Sequence, residues 1–198
     1  MHMPIKGRSS GFTLVELMVT LAVATILLVL ATPSFVDMID KARLKGVVDS
    51  SVDLIKDARA EGVKHNRSVA VAFAGTSAAW CVGATAAGET AVTAGNAIPA
   101  VAACDCSSDP SKCTIGGQQK LISSAANNGV AIDSTALSFA FDGRLGAMSP
   151  LPAAPKVATF SSPRKMFDLK MTVTPLGQVS LCVPSTSKRA MSEYPSCS

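Results

Sequence analysis

GFTLVELMVTL, residues 11–21, opens an apolar run that continues to Val36. Glu16 is the only formal charge in this run. As a helix, residues 12–36 would be about 37 Å long at about 1.5 Å per residue. A bilayer core is about 30 Å thick, so a helix of that length spans it with some tilt. We therefore predict a membrane-spanning helix over residues 12–36.

A short leader precedes the apolar run. Residues 1–11 carry Lys6 and Arg8 and end in Gly11. Because positive flanks stay in the cytoplasm, we expect the C-terminal bulk of the chain to be exported. An ordinary signal peptide is cut after its apolar region. Here the charged part comes first, so its removal would leave the whole apolar helix on the protein.

The pattern Gly-Phe-Thr-Leu-x-Glu-Leu-Met-Val resembles the class III signal of type IV pilins and type II secretion pseudopilins. This resemblance implies that a prepilin peptidase cuts after Gly11, that Phe12 becomes the N-methylated N-terminus, and that Glu16 is the fifth mature residue. It also implies a single-pass protein of the bacterial inner membrane, with a periplasmic C-terminal domain, that enters a pilus or pseudopilus. The implied partners are other pilins or pseudopilins, the prepilin peptidase and the inner-membrane assembly platform.

Glu16 has two interpretations. It lies three residues after Thr13, which is the spacing of a capping box, and an acid in the first turn suits the helix dipole. An acidic side chain in a membrane segment is also a functional site by default, with a partner to be named. In the proteins that the segment resembles, the equivalent glutamate pairs with the N-terminal amine of a neighbouring subunit. We favour this assembly role, with which capping is compatible.

Pro33 interrupts the hydrogen-bonding pattern of the helix. It removes one backbone donor and crowds the carbonyl of Val29, so we predict a local kink or loosening. In the resembled family this region unwinds when subunits pack into a filament. The alternative is a simple kink of the kind that membrane helices tolerate.

An amphipathic helix is predicted to follow directly, over residues 37–66. Its apolar positions recur at spacings of three and four. They are Leu44, Val47, Val48, Val52, Ile55, Ala58 and Val63. This stripe must be covered by the rest of the chain.

The remaining chain, residues 67–198, is predicted to be rich in β-strands. Residues 68–74 and 79–83 could pair around Gly75-Thr76-Ser77. Later strands are separated by Asn-Gly, Asp-Gly and Pro turn signals. They cover residues 120–123, 130–133, 137–142, 156–161, 167–174 and 178–183, the last two joined as a hairpin through Pro175-Leu176-Gly177. Residues 88–117 have little periodicity, and we interpret them as a surface loop held by cysteines.

These elements predict an α+β fold, in which a long N-terminal helix packs on an antiparallel β-sheet. The resemblance implies the same arrangement, the pilin fold. Four segments are expected: a leader at 1–11, a membrane or filament-core helix at 12–36, its amphipathic half at 37–66, and a periplasmic β-rich domain at 67–198.

All six cysteines follow the membrane segment. They are Cys81, Cys104, Cys106, Cys113, Cys182 and Cys197. An even number on the exported side favours disulfides. We predict a bond between Cys182 and Cys197 and leave the pairing of the other four open. A four-cysteine zinc site is the alternative, but Cys-x-Cys followed by six residues lacks the usual paired spacing. We therefore expect no metal.

Two motifs in the C-terminal half of the chain resemble a smaller group within this family. The Phe-x-Asp-Gly-Arg-type turn at residues 141–144 and Thr-Pro-Leu-Gly-x-Val-x-x-Cys at 174–182 are similar to GspH-type pseudopilins and the FimT and FimU minor pilins. The leading hypothesis is a minor pilin that helps initiate or cap a type IV pilus. The alternative is a type II secretion pseudopilin that acts in protein export.

Nucleic-acid binding is a further hypothesis, because some FimT-like pilins bind DNA during uptake. The candidate contacts here are Lys188 and Arg189. Loss of Lys6 and Arg8 with the leader lowers the formal net charge from +4 to +2, which predicts no general nucleic-acid surface. Two cations make few phosphate contacts, so binding would be weak and salt-sensitive.

Catalysis is not expected. His2 leaves with the leader, and His65 stands alone near the predicted helix end. The acids lack a paired arrangement for acid–base chemistry, and no phosphate loop or nucleophile motif is present. We therefore predict a structural protein without a cofactor, and expect His65 to interact with the last helix carbonyls.

Overall fold

The computed structural model describes residues 11–75, 77, 79–87, 104–127, 129–133 and 137–197, without the side chains of residues 30–33. The chain divides into two compact units, Met1–Ile39 and Asp40–Ser198. The first unit contains the beginning of helix α1 (Leu14–His65), and the second contains the rest of α1 and all strands. No single helix in the described residues is long and apolar enough to cross a membrane, although the pair Leu14–Val29 and Ser34–His65 passes by length and composition together.

Helix α1 ends in a capped C-terminal turn. Asn66 follows the helix with a left-handed φ of 50°. Its N–H donates to the carbonyl of Val63 at 3.2 Å, and the Arg67 N–H donates to that of Gly62 at 2.9 Å. These two bonds form a Schellman motif, in which Asn tolerates the left-handed position. His65 differs from its prediction, because its Nε2 lies 3.1 Å from the Glu61 carboxylate.

The predicted apolar stripe of α1 lies in the core, apart from its last member. The six positions from Leu44 to Ala58 are buried, whereas Val63 is 46% exposed. Val63 comes eight residues after Ile55, which places it about 80° around the helix at 3.6 residues per turn. Leu54, which was not assigned to the stripe, is also buried.

Two four-stranded antiparallel sheets follow the helix, in the orders β5-β2-β1-β7 and β10-β9-β8-β6. A two-stranded sheet pairs β3 with β4. The strands are β1 (Val69–Gly75), β2 (Trp80–Ala86), β3 (Thr114–Ile115), β4 (Gln118–Gln119), β5 (Leu121–Ser123), β6 (Ala131–Asp133), β7 (Ser138–Phe141), β8 (Lys156–Ser161), β9 (Asp168–Val173) and β10 (Val179–Cys182).

The α+β prediction is confirmed, and the sheet is divided in two. One hydrophobic cluster joins the buried stripe of α1 to both four-stranded sheets, and its largest fully buried side chains are Phe141, Phe160 and Phe167. The β1–β2 and β9–β10 hairpins are also confirmed, with Gly75 opposite Trp80 and Val173 opposite Val179.

Two β predictions need correction. Strand β2 continues to Ala86, beyond the predicted end at Gly83, because all seven residues of β1 pair with it. The predicted surface loop 88–117 contains a 3-10 helix, Pro110–Lys112, and strand β3. The part of that loop before Cys104 lies outside the described residues.

Trp80 lies in the main core, where its Nε1 donates to the Val130 carbonyl at 2.7 Å. Cys81 belongs to a separate buried cluster. Successive side chains of a strand point to opposite faces, so neighbours on β2 cannot share a cluster.

Candidate processing and assembly site

The predicted cleavage position lies just before α1. Gly11, Phe12 and Thr13 are exposed and outside the helix, and Phe12 keeps 81% of its surface. A Cβ added to Gly11 would meet no atom of the described residues within 4 Å. Within the described part of the chain, nothing therefore packs against Gly11 beside the predicted cleavage position.

Thr13 caps the first turn of the helix. Its Oγ1 accepts a hydrogen bond from the Glu16 N–H at 3.2 Å, and its carbonyl accepts one from the Leu17 N–H at 3.2 Å. The Glu16 carboxylate makes no hydrogen bond or ion pair within the described part of the chain. Of the two capping-box hydrogen bonds, the one to the Thr13 side chain is thus present. The Glu16 side chain, which would make the other, is exposed.

The first turns of α1 present apolar side chains on every face. All of these side chains keep more than half of their surface, from Val23 at 51% to Leu14 at 75%. They are Leu14, Val15, Leu17, Met18, Val19, Leu21, Val23, Ile26, Leu27, Leu28 and Val29. Monomeric soluble proteins rarely expose an apolar surface this large. The segment therefore needs lipid or protein partners.

The two hydroxyl groups in this segment are satisfied within the helix. Thr20 Oγ1 donates to the Leu17 carbonyl at 2.9 Å, and Thr25 Oγ1 donates to the Ala22 carbonyl at 2.8 Å. Such back-bonding removes the cost of placing a hydroxyl in an apolar environment. Glu16 is the remaining polar group among residues 14–29 that needs a partner there. Pro33 lies within α1, and its predicted kink stays a prediction because its side chain is not described.

The cysteines form three disulfides, Cys81–Cys106, Cys104–Cys113 and Cys182–Cys197. The first attaches the segment 104–113 to β2, and the second closes a loop within that segment. Gly83 lies directly under this attachment, because a Cβ there would approach Cys113 Sγ to 2.6 Å and Cys104 Sγ to 2.7 Å. In the described residues, no group of three His, Cys, Asp or Glu side chains could hold a metal ion.

The attached segment has a turn stabilised by Asp105. Its carboxylate accepts hydrogen bonds from Ser107 Oγ at 2.6 Å and from the Ser107 and Ser108 N–H groups at 3.1 and 3.2 Å. These bonds, with that from the Ser107 side chain first, lower the pKa of Asp105 to about 2. The turn is therefore held by a charged carboxylate at neutral pH.

The loop closed by Cys182 and Cys197 is also held to α1 by an ion pair. Glu193 pairs with Lys45, and this hydrogen bond lowers the pKa of Glu193 and raises that of Lys45. Lys188 and Arg189 lie exposed in the same loop, where the Arg189 N–H donates to the Met166 carbonyl at 3.0 Å. The structure thus places both candidate DNA contacts on one anchored loop.

Nothing in the local sequence predicts a role for Arg59. Its Nε donates to the Gly146 carbonyl at 2.7 Å, and the same side chain lies about 3 Å from where a Cβ of Gly177 would be. Both glycines have left-handed φ values, 61° and 77°. Arg59 therefore joins two turns to α1. The two glycines could have indicated turns, but no local pattern in the sequence connects those turns to a residue of α1.

A second missed contact is the ion pair between Asp40 and Arg164. Arg164 Nε donates to Asp40 Oδ2 at 2.7 Å, and the aspartate side chain is only 5% exposed. A charge this buried must be paired. The next residue, Lys41, places its Nζ 4.9 Å from the centre of the Phe167 ring. These contacts hold the start of the second unit's helix to the β8–β9 turn.

Comparison with known proteins gives a match at the N-terminus. Residues 6–32 match the model of the prokaryotic N-terminal methylation motif. The chain thus carries a prokaryotic N-terminal methylation motif over these residues. The chain is also similar to a crystal structure of the type IV minor pilin FimU of Pseudomonas aeruginosa, strain PAO1, with 11% identity and a TM-score of 0.43 over 71% of this chain and 89% of that one. No curated protein matches.

Proposed function

We propose that the chain is a minor pilin, a structural subunit that helps initiate or cap a type IV pilus. A prepilin peptidase first cleaves after Gly11, and the new N-terminus at Phe12 is methylated. One observation carries the proposal: residues 6–32 match the methylation motif, and the helix that begins there exposes apolar side chains on all faces.

The apolar helix explains both states of such a subunit. Before assembly, lipid of the inner membrane covers the side chains from Leu14 to Val29. After assembly, the helices of neighbouring subunits cover them. The internally bonded hydroxyls of Thr20 and Thr25 suit either environment. The periplasm, an oxidising compartment, would receive the domain with three disulfides.

Glu16 gives the assembly its specificity. Its carboxylate is exposed next to the Thr13 cap. Within lipid or between apolar helices an unpaired carboxylate is costly. The methylated amine of Phe12 from a neighbouring subunit is a cation at the matching end of the helix. Pairing of the two would hold each new subunit in register.

The first test is the N-terminal sequence of the protein isolated from bacterial membranes. We expect it to begin with methylated Phe12. A product that begins elsewhere would contradict the proposal.

The second test is deletion of the gene, followed by assays of twitching, DNA uptake and release of exported proteins in one strain. We expect twitching to be lost and protein release to be unchanged. Loss of release alone would instead identify a type II secretion pseudopilin. Loss of DNA uptake with normal twitching would instead favour a DNA-binding minor pilin, and changing Lys188 and Arg189 to alanine would then test them as the DNA contacts.

A further inference from the structure

Strand β10 lies at the edge of its sheet, where β9 pairs with only one of its two sides. The Thr174 N–H donates to the Gln178 carbonyl at 2.9 Å, so the backbone of Gln178 faces β9. In an antiparallel pair, the backbone groups of successive residues point alternately toward the partner strand and away from it. Val179 and Leu181 therefore direct their N–H and C=O groups away from β9, where no described residue bonds to them. We call residues 179–181 the open edge.

The next outward residue, Val183, shows that this side of β10 can pair with another segment. The Val183 N–H donates to the Pro195 carbonyl at 2.8 Å, and the Val183 carbonyl accepts a hydrogen bond from the Cys197 N–H at 2.9 Å. In the same parallel register, the Leu181 carbonyl would need the N–H of residue 195, and proline has none. The C-terminal segment therefore pairs at Val183 and does not continue along the open edge.

Helix α1 runs beside the open edge in the opposite direction. At one end, Arg59 Cδ lies 3.0 Å from where a Cβ of Gly177 would be. At the other end, Lys45 pairs with Glu193, close to the residues that bond to Val183. The 14 residues from Lys45 to Arg59 rise by about 21 Å in a helix, and the six from Gly177 to Val183 span about 20 Å in a strand. The helix and the edge therefore lie side by side over this length.

A basic groove opens at the Gly177 end of this edge. It has a volume of about 600 Å³, and its lining includes Gly177, Lys56, Lys64 and the 77% exposed Leu145. Lys64 pairs with Glu61 at 3.3 Å, and an exposed pair of this kind contributes little free energy. Lys56 is exposed and forms no ion pair with a residue that the structure describes. The groove therefore favours an acidic group.

Asp49 gives the opposite end of the edge a negative charge. It lies about 10 Å from Lys56 along the helix axis, in the direction of Leu181. It is exposed and has no ion pair within the described part of the chain. A strand with an acidic end beside Lys56 and a basic end beside Asp49 would match both charges. If that strand runs antiparallel to β10, its acidic end is the C-terminal one.

We propose that the open edge of β10 binds an extended segment of a partner protein as an antiparallel fifth strand, with acidic residues at the C-terminal end of that segment. Main-chain hydrogen bonds to Val179 and Leu181 supply affinity, as in other cases of strand addition. The charges of Lys56 and Asp49 set the direction of the bound segment. The inference goes beyond the proposed function, which names no partner strand, and it rests on the second unit alone.

The test is an NMR titration of the purified full-length chain in detergent with a synthetic peptide. The probe is Lys-Lys-Val-Thr-Val-Thr-Asp-Glu with both ends blocked, and the comparison peptide has the same residues in reverse order. The probe should slow amide hydrogen exchange at Val179 and Leu181, because their N–H groups become bonded. The reversed peptide should bind about tenfold more weakly, because its charges then meet like charges.

Two variants test the edge and its charge separately. V179P removes an outward N–H but no bond to β9, so it should weaken binding of the probe about tenfold while the sheet stays intact. K56E should also weaken binding about tenfold, because the acidic end of the probe then meets an acid. K165E is the matched control for charge, because Lys165 is exposed in the β8–β9 turn, and it should leave binding unchanged.

Mass measurement of three disulfides verifies folding of each variant. The proposal is overturned if the probe leaves amide exchange at Val179 and Leu181 unchanged, or if the two peptides bind equally. It is also overturned if V179P or K56E has no effect, or if K165E weakens binding as much as K56E.

Discussion

At the first turn of α1, Thr13 caps the helix, and Glu16 is the residue that we propose for assembly. Thr13 Oγ1 caps the helix, so the Glu16 side chain is not required for capping. We predict that E16Q lowers incorporation into filaments about tenfold, as expected when an ion pair of about 1.4 kcal/mol is lost. The measurement is the ratio of the protein in sheared filaments to that in whole cells.

T13A is the control for Glu16. It removes the cap, at a cost of about 0.5–2 kcal/mol of helix stability, and keeps the carboxylate. Incorporation should then stay close to that of the wild type. Equal losses in the two variants would mean that Glu16 acts only through helix capping.

Gly83 is required because a disulfide between two other residues packs directly against it. Its missing Cβ leaves room for the Cys104–Cys113 disulfide on β2. We predict that G83A lowers the free energy of unfolding by about 1–3 kcal/mol, because the overpacked disulfide and strand must move apart. Thermal unfolding of the oxidised protein in detergent measures this.

The matched variant is G46A on the exposed face of α1. A Cβ at Gly46 meets no atom of the described residues within 4 Å, so alanine should stabilise the helix by about 0.5–1 kcal/mol. If both variants shifted stability in the same direction, the steric explanation for Gly83 would be wrong.

At the scale of elements, Arg59 connects α1 to two turns that local sequence cannot relate. The 142–147 turn and the β9–β10 turn both approach this one side chain through a glycine. We predict that R59M costs about 1–3 kcal/mol, because the Gly146 carbonyl loses its donor while most of the side-chain volume remains. Urea unfolding measures the change.

R43M serves as the comparison, since Arg43 is exposed on the same helix. A surface substitution of this kind should stay within about 0.5 kcal/mol of the wild type. Equal destabilisation by both variants would show that general loss of charge on α1, and not the contact with Gly146, is responsible.

The secondary elements themselves were largely predictable. The β9–β10 hairpin follows from clean alternation before Pro175-Leu176-Gly177, and the structure pairs its strands as expected. The β3–β4 hairpin was missed, because two-residue strands have no periodicity. Its Gly116-Gly117 turn, with both φ values positive, was the signal that could have indicated it.

At the scale of the whole molecule, the two units differ in what covers their apolar residues. Asp40–Ser198 buries its own core beneath two sheets. In Met1–Ile39 the apolar side chains from Leu14 to Val29 are exposed. One unit can therefore be stable through its own packing, while the other needs lipid or protein partners to cover its apolar side chains.

Local patterns in the sequence determined the N-terminal methylation motif, the long helix with its buried stripe, and most strands, because each depends on residues a few positions apart. Only the tertiary structure decided that Cys81 bonds to Cys106 and Cys104 to Cys113. It likewise decided that Arg59 meets Gly146 and Gly177, and that Leu145 joins Lys56 and Lys64 in one groove. These contacts join residues far apart in the chain, and their distances follow from how the whole domain packs.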